Sequence, residues 1–322
     1  MIRLLVGLLV AGLLTAGQAA SQDWPSRTVK VVVPFAPGST PDGAARVLAE
    51  RLQARLGQPF VIENRAGAGG NLGTDAVAKA EPDGATIGVS IVGPLVLNTL
   101  LFPRMPYDPA TDLTPITILG AQPSVLVVNA EVPARSVGEL VELLRREPGK
   151  YDFGSIGVGS LSHLAMEAIA VASGTRLVHV PFAGSPAVVT ALLRGDVKMA
   201  VLPAGGVVPQ AADGRLRLLG VTAAQRSPLL PGLPTLREAG IEGVEADAWV
   251  GLIGPARLPA AVVEKLGGTV REILAEPATI ERLRAQFISP GGGTPEEFRA
   301  VMRAELDRWG PVIRDNSIRL GN

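Results

Sequence analysis

The chain of 322 residues carries 30 basic and 30 acidic side chains, only 4% aromatic residues and no cysteine. A balanced charge without basic patches interleaved with aromatics argues against a nucleic-acid partner, and the absence of cysteine excludes disulfides and a lipidated thiol. Residues 1–20, MIRLLVGLLVAGLLTAGQAA, place Arg3 ahead of an apolar stretch and small residues, the pattern of a secretory signal cleaved near Ala19 or Ala20. About 300 residues then remain, enough for two cores. An exported chain without disulfides suits a periplasm.

After the leader the segments alternate. TVKVVVPF reads as a strand and AARVLAERLQARLG as an amphipathic helix, with Ala45, Leu48, Leu52 and Leu56 on one face. PFVIENR is a second strand, TDAVAKAEP a second helix and ATIGVSIV a third, continuously apolar strand. Such βαβ order predicts a parallel sheet with ligand sites at the carboxyl ends of its strands. The alternation restarts after SVLVVNAEVPA, where Ser136 and Glu139 form a capping-box pattern, and runs through YDFGSI, HLAMEAIAVASG, RLVHVPF, AVVTALLRG, VKMAVLP and LRLLGVT. A second α/β lobe is expected. The tail returns to long helices, the last opened by Thr294, Pro295 and Glu297, with Phe298, Val301, Leu306 and Trp309 facing the first lobe. The expected domains are residues 21–126 plus 248–322 for the first lobe and 127–247 for the second.

One phrase occurs twice. VVVPFAPGSTPD (residues 31–42) and VHVPFAGSPA (178–187) each run from a strand through Pro-Phe-Ala, a glycine and a serine to a proline that starts a helix. Ser39 or Thr40 can cap the first helix and Ser185 the second, with Pro41 and Pro186 in the first turn. Gly38 and Gly184 allow a sharp turn or a close backbone approach. Helix N-termini present orphan N–H donors and partial positive charge. Two facing mouths of this kind suit opposite ends of one small acid; Phe35, Ala36 and Phe182 flank them, the rings fitting either a site or a core.

The chain resembles the tripartite tricarboxylate transporter substrate-binding family, also called the Bug receptors. The resemblance covers essentially the whole mature sequence: WPSRTVKVVVPFAPGSTPDGAAR, IENRAGAGGNLG, MPYDP, GSLSHLAMEA, HVPFAGSPAVVTALLRGDV, VTAAQRSPLLPGLPTLREAG and WVGL. It implies an α/β, two-lobed periplasmic binding protein (type II-like), with two doubly wound sheets and a hinge of two crossing segments, near Val125–Asn129 and Ala246–Gly251. The implied function is to bind a small carboxylate and deliver it to the permease subunits of a tripartite tricarboxylate transporter, as a monomer, with the two repeated loops as pincers. A receptor that signals through a membrane partner is the alternative. In the family the residue at Asp42 shapes the pincer loop or accepts a ligand amine; read from its position, it sits in the first turn of a helix and favours the macrodipole. Relatives often carry an aspartate where Leu202 and Pro203 stand here, and a second glycine in place of Ser39, so ligand identity does not transfer.

In GVGSLSHLAMEA, Ser160 is the expected cap, whereas Ser162 and His163 either finish the turn or reach into the cleft; the matching family loop lines the cleft. GAGGNLG lacks the last glycine of a dinucleotide fingerprint, since Leu72 occupies that position, and Asn71 is expected to cap the next helix. No nucleophile elbow, cysteine or metal-ligand cluster is present, and His179 reads as a core histidine. A receptor without cofactor or metal is expected rather than a periplasmic hydrolase.

Overall fold

The computed structural model describes residues 23–182, 184–316 and 318; the expected leader lies outside them. In chain order, β1 (Val29–Val33), α1 (Thr40–Leu56), β2 (Phe60–Asn64), α2 (Asn71–Ala78), β3 (Thr86–Ile91), α3 (Asn98–Leu101) and β4 (Leu113–Gln122) come first. Then follow β5 (Ser124–Asn129), α4 (Val137–Arg146), β6 (Asp152–Ser155), α5 (Leu161–Ser173), β7 (Val178–Pro181), α6 (Ser185–Arg194), β8 (Met199–Pro203), α7 (Ala204–Val207) and β9 (Leu216–Val221). The last elements are β10 (Ala248–Pro255), α8 (Ala260–Leu274), α9 (Pro277–Arg284), β11 (Ser289–Gly292) and α10 (Pro295–Asp315). Among the described residues no helix is long and apolar enough to cross a membrane.

Two sheets form, a six-stranded one ordered β11-β4-β10-β3-β1-β2 and a five-stranded one ordered β7-β6-β8-β5-β9. The expected all-parallel pairing holds only for β2-β1-β3 and β7-β6-β8. β10 is antiparallel to β3 and β4, and β5 is antiparallel to β8 and β9. The reason is the traffic between lobes: a strand leaving one sheet lies beside the strand that returns, and the two run in opposite directions.

The first crossing is at Pro123, between β4 and β5. Proline has no N–H to continue a ladder, so the sheets change there, and the expected boundary after residue 126 falls inside β5. The alternation of that strand belongs to the second sheet throughout: Val125 and Val127 face one core, Leu126 and Val128 the other. The return runs through residues 222–247 and enters the first sheet at Ala248.

Val29, Val31 and Val33 of β1 pack with Leu48 and Leu52 of α1 and with Leu266 and Val270 of α8 in the core of the first lobe. A further core joins Leu97 and Leu101 of the first lobe to Phe153 and Leu164 of the second, with Phe298 and Trp309 of α10 set into it. α10 therefore packs on β4 and also on α5, so its surface is shared between lobes, and Leu306 is exposed rather than facing the first lobe. Its start carries a complete capping box of Thr294 and Glu297. At α4 Ser136 accepts from the Glu139 N–H, but the Glu139 carboxylate takes the Arg135 N–H instead.

Phe298 needs a residue without a side chain beneath it. A Cβ on Gly251 of β10 would stand 2.1 Å from the ring. Gly251→Ala is expected to cost about 1–3 kcal/mol in urea unfolding, as overpacking does, and combining it with Phe298→Leu should return part of that loss; an unchanged midpoint in the single variant would contradict this packing.

Candidate functional site

The first mouth begins where β1 ends. Gly38 turns the loop with φ +81°, and the carboxylate of Asp42, 2% exposed, holds it there. Asp42 Oδ2 accepts from the Gly38 N–H and from Arg46 Nε, each at 2.9 Å, while its Oδ1 accepts from Asn64 Nδ2 at 2.9 Å. Asn64 Nδ2 also donates to the Phe35 carbonyl at 3.0 Å, so the loop is fixed at both ends. Burial alone would raise the pKa of Asp42; the hydrogen bonds from Arg46, Gly38 and Asn64 outweigh it and hold the carboxyl below its ordinary value. Asp42 is thus fully engaged within the loop, an organising role that its sequence position left open. The Phe35 ring lies close to Gly70, as does Pro94, while Ala36 and Gly38 are exposed.

Ser39 occupies the N-cap position of α1 in an extended conformation, but its side chain makes no capping bond. Its Oγ is buried without a partner. Thr40 Oγ1 donates to Gln122 Oε1 at 3.1 Å. In the second lobe the N-cap of α6 is Gly184, φ +104°, and Ser185 is the first helical residue, so neither serine caps as expected. Counted from the prolines of the two first turns, Thr40 matches Ser185 and Ser39 matches Gly184. The first loop is longer by two residues, and a glycine with positive φ supplies the cap that the shorter loop requires.

Asn71 is likewise not a cap, because that position falls on Gly70. Its amide is buried: Oδ1 accepts from Asn98 Nδ2 at 2.6 Å and from the Tyr107 hydroxyl at 3.1 Å. Asn98 Nδ2 also donates to the Gly69 carbonyl at 3.1 Å, which ties the glycine-rich turn to α3. Leu101 of α3 packs against Gly159 of the second lobe, beside the loop that leads into α5.

In that loop Ser160 is the N-cap; its Oγ accepts from the His163 N–H at 3.3 Å and donates to the Gly157 carbonyl at 2.6 Å. His163 finishes the turn, its Nδ1 accepting from the Gly159 N–H at 3.0 Å. Ser162 is 3% exposed and its Oγ has no partner. His179 stacks on His163 with ring centroids 3.8 Å apart, and its Nε2 lies 2.7 Å from Ser155 Oγ. Burial and the neighbouring His163 push the pKa of His179 down to about 4, against a smaller opposing pull from Glu167. The Ser155–His179 contact has the distance of a nucleophile and its base, but Ser155 is fully buried and also exchanges hydrogen bonds with Gly157, so it shapes the loop beneath the second mouth. Phe182 packs partly into the second-lobe core.

The structure therefore gathers the predicted residues into two groups at the carboxyl ends of β1 and β2 and of β6 and β7. It adds Asn64, Asn98, Tyr107 and Gln122, which sequence reading passed over; Asn64 and Gln122 end strands, and Asn64 and Tyr107 lie within the segments IENRAGAGGNLG and MPYDP. Among the described residues no group of three or more His, Cys, Asp or Glu could hold a metal ion.

A two-lobed α/β fold with paired strand-to-helix mouths is that of a periplasmic solute-binding protein. Residues 44–318 match the family model of the tripartite tricarboxylate transporter family receptor, and the chain belongs to that family. It is 37% identical over 313 residues to a UPF0065 protein in the tcbD-tcbE intergenic region of Pseudomonas sp. strain P51, spanning 97% of this chain and 93% of that one. BugT of Bordetella pertussis is 34% identical over 316 residues, 98% of this chain and 97% of BugT. Among solved structures, R. palustris Rpa4515 with adipate superposes with a TM-score of 0.86 at 36% identity, covering 92% of this chain and all (100%) of that one. MatC of Rhodopseudomonas palustris with bound malate gives 0.80 at 31% identity, covering 90% of this chain and 100% of MatC.

Two outcomes follow from the engaged groups. Asp42→Ala removes the hydrogen bonds that the carboxylate accepts from Gly38, Arg46 and Asn64 and is expected to cost about 1–3 kcal/mol, read by denaturant unfolding; no loss would show that the loop does not depend on the carboxylate. For His179 the folded pKa lies below the ordinary 6.5, so between pH 6.5 and about 4 the unfolded chain binds a proton that the fold does not. Stability is present above that window and declines as pH falls through it. His179→Gln should show a shallower fall in Tm over this range than the parent, and parallel curves would contradict the assignment.

Proposed function

We propose that this protein is a periplasmic receptor that closes its two lobes over a small carboxylate-bearing metabolite and delivers it to the permease of a tripartite tricarboxylate-type transporter. The observation that carries the reading is the pair of strand-to-helix mouths, one with a buried, unpartnered serine hydroxyl at its cap. Helix first turns have N–H groups without intrahelical acceptors, and these suit a carboxylate. The candidate contacts are the loop of Phe35, Ala36, Gly38, Ser39 and Thr40 on one side and of Phe182, Gly184 and Ser185 on the other. Ser162 adds a buried hydroxyl; Asp42, Asn71, Ser160 and His163 hold the loops that present these groups. The ligands named for two relatives, adipate and malate, are small organic acids and support the same class here. Export of the chain and its action as a monomer belong to this reading. Closure would rotate the lobes about Pro123 and the 222–247 return, as in hinged binding proteins.

Native mass spectrometry of protein from its own periplasm should show one small acid per chain, released chemically unchanged. Conversion of the acid, followed by NMR without a stable complex, would overturn the reading. The side chains are tested separately. Because Ser39 and Ser185 make no capping bond, Ser39→Ala and Ser185→Ala should leave the Tm of the empty protein nearly unchanged. A hydrogen bond to a charged group contributes roughly 1.5–3 kcal/mol, so calorimetric affinity should fall about 10-fold to 150-fold for whichever serine grips the acid. Unchanged affinity in both variants would leave only the backbone N–H groups.

A further inference from the structure

Behind the mouths, one buried amide touches both lobes. Gln122 ends β4 one residue before the crossing and is 2% exposed. Its Nε2 donates to the Gln286 carbonyl, a bond that only the nitrogen of the amide can make. The orientation is thereby fixed, and Oε1 is presented to Thr40, whose hydroxyl donates to it at 3.1 Å. The second lobe presses on the same amide: a Cβ built on Gly205 of α7 would stand 2.7 Å from Gln122 Nε2 and 3.0 Å from the Gln286 oxygen. No side chain fits there unless both groups move. The next residue, Gly206, borders the second mouth, with Ser185 Oγ 3.5 Å from where its Cβ would be. The Gly205-Gly206 step is therefore wedged between Gln122 and Ser185, and a chain of contacts runs from one mouth to the other.

The adjoining corner is strained. Phe287 adopts φ +59°, a conformation costly for a bulky residue. Its side chain packs with the second-lobe core of Val125, Ala204 and Val207, whereas Ile288 turns back into the core of the first lobe. The strained residue is thus the point at which the first lobe reaches across to α7. Rotation about Pro123 must move the Gly205 face relative to Gln122 and this corner.

We propose that Gln122 is a positioning residue for ligand capture, setting the Ser39–Thr40 loop according to how closely the Gly205 face of the second lobe lies against the Gln286–Phe287 corner. When Gly205 backs away, the amide loses its wall and is held toward Thr40 by the Gln286 bond alone. The lobe contact stands on geometry alone; the link to capture rests on the receptor reading above, and the experiment separates the two.

Because the chain has no cysteine, spin labels at Gln53→Cys and Val171→Cys, exposed positions in α1 and α5, report lobe separation without background. In the empty labelled protein, Gly205→Ala is expected to shift the double electron–electron resonance distance distribution away from the parent; superposable distributions would overturn the contact. Gln122→Met keeps the volume, removes both hydrogen bonds and guards against misfolding of the glycine variant; it should shift the distribution likewise. Thr40→Val should leave the distribution in place. In calorimetry with a panel of small mono- and dicarboxylates that includes adipate and malate, Thr40→Val should weaken the best-bound acid about five- to tenfold, the loss of one neutral hydrogen bond. Added to Gln122→Met, it should cost nothing more, because the two residues act through one bond. Additive losses would overturn the positioning role and make Thr40 a direct contact. Shifted distances in a protein that binds no acid of the panel would overturn the capture role while leaving the lobe contact intact.

Discussion

Between Gln122 and Ser124 there is only one residue, a proline, and the two lobes are organised around that junction. β4 and β5 form one extended ribbon that leaves the first sheet and enters the second without a loop to absorb displacement. Because proline breaks the ladder, the ribbon can turn there, but the strands on either side remain clamped, β4 by β10 and β11 and β5 by β8 and β9. The return segment is held at Glu245, which pairs with Arg237 and Arg308. Such a connection would permit rotation, while sliding would be opposed by these four antiparallel pairings.

The two mouths share a pattern but are braced differently. In the first lobe a buried carboxylate, Asp42, gathers donors from its own helix and from β2, so the loop is fixed by charge-assisted bonds. In the second lobe the bracing beneath the loop comes from two stacked imidazoles and the Ser155 hydroxyl. Arg46, the cation bound at the first mouth, is paired with Asp42. An anion held there would be solvated by N–H and O–H dipoles in place of water. Such a site would discriminate by shape and donor direction more than by charge.

What was legible in the sequence was whatever repeats or alternates. The βαβ order, the restart of the alternation after residue 134 and the doubled Pro-Phe-Ala phrase all follow from local periodicity and turn chemistry, and the family likeness rests on the same segments. Local pattern also misled. Ser39, Ser185 and Asn71 resemble caps because they precede helices, yet whether a side chain closes onto the helix depends on a loop conformation set by distant partners such as Asn64. Gln122 was illegible for a related reason: its partners, Thr40 and Gln286, are remote in sequence. Strand direction failed too, since β10 pairs according to where the chain returns rather than to its own residues.

Several groups in the structure are uncompensated. Ser39 Oγ and Ser162 Oγ are buried without partners, and Phe287 is held in a left-handed conformation. Buried polar atoms without partners and strained backbone both reduce stability, and a fold selected for rigidity alone would replace them with alanine and glycine. On the receptor reading they have a use. A hydroxyl with no internal partner would gain a hydrogen bond from a ligand without first breaking one, so the gain would count in full toward affinity. Weakness in the empty state and selectivity in capture are then two consequences of the same residues.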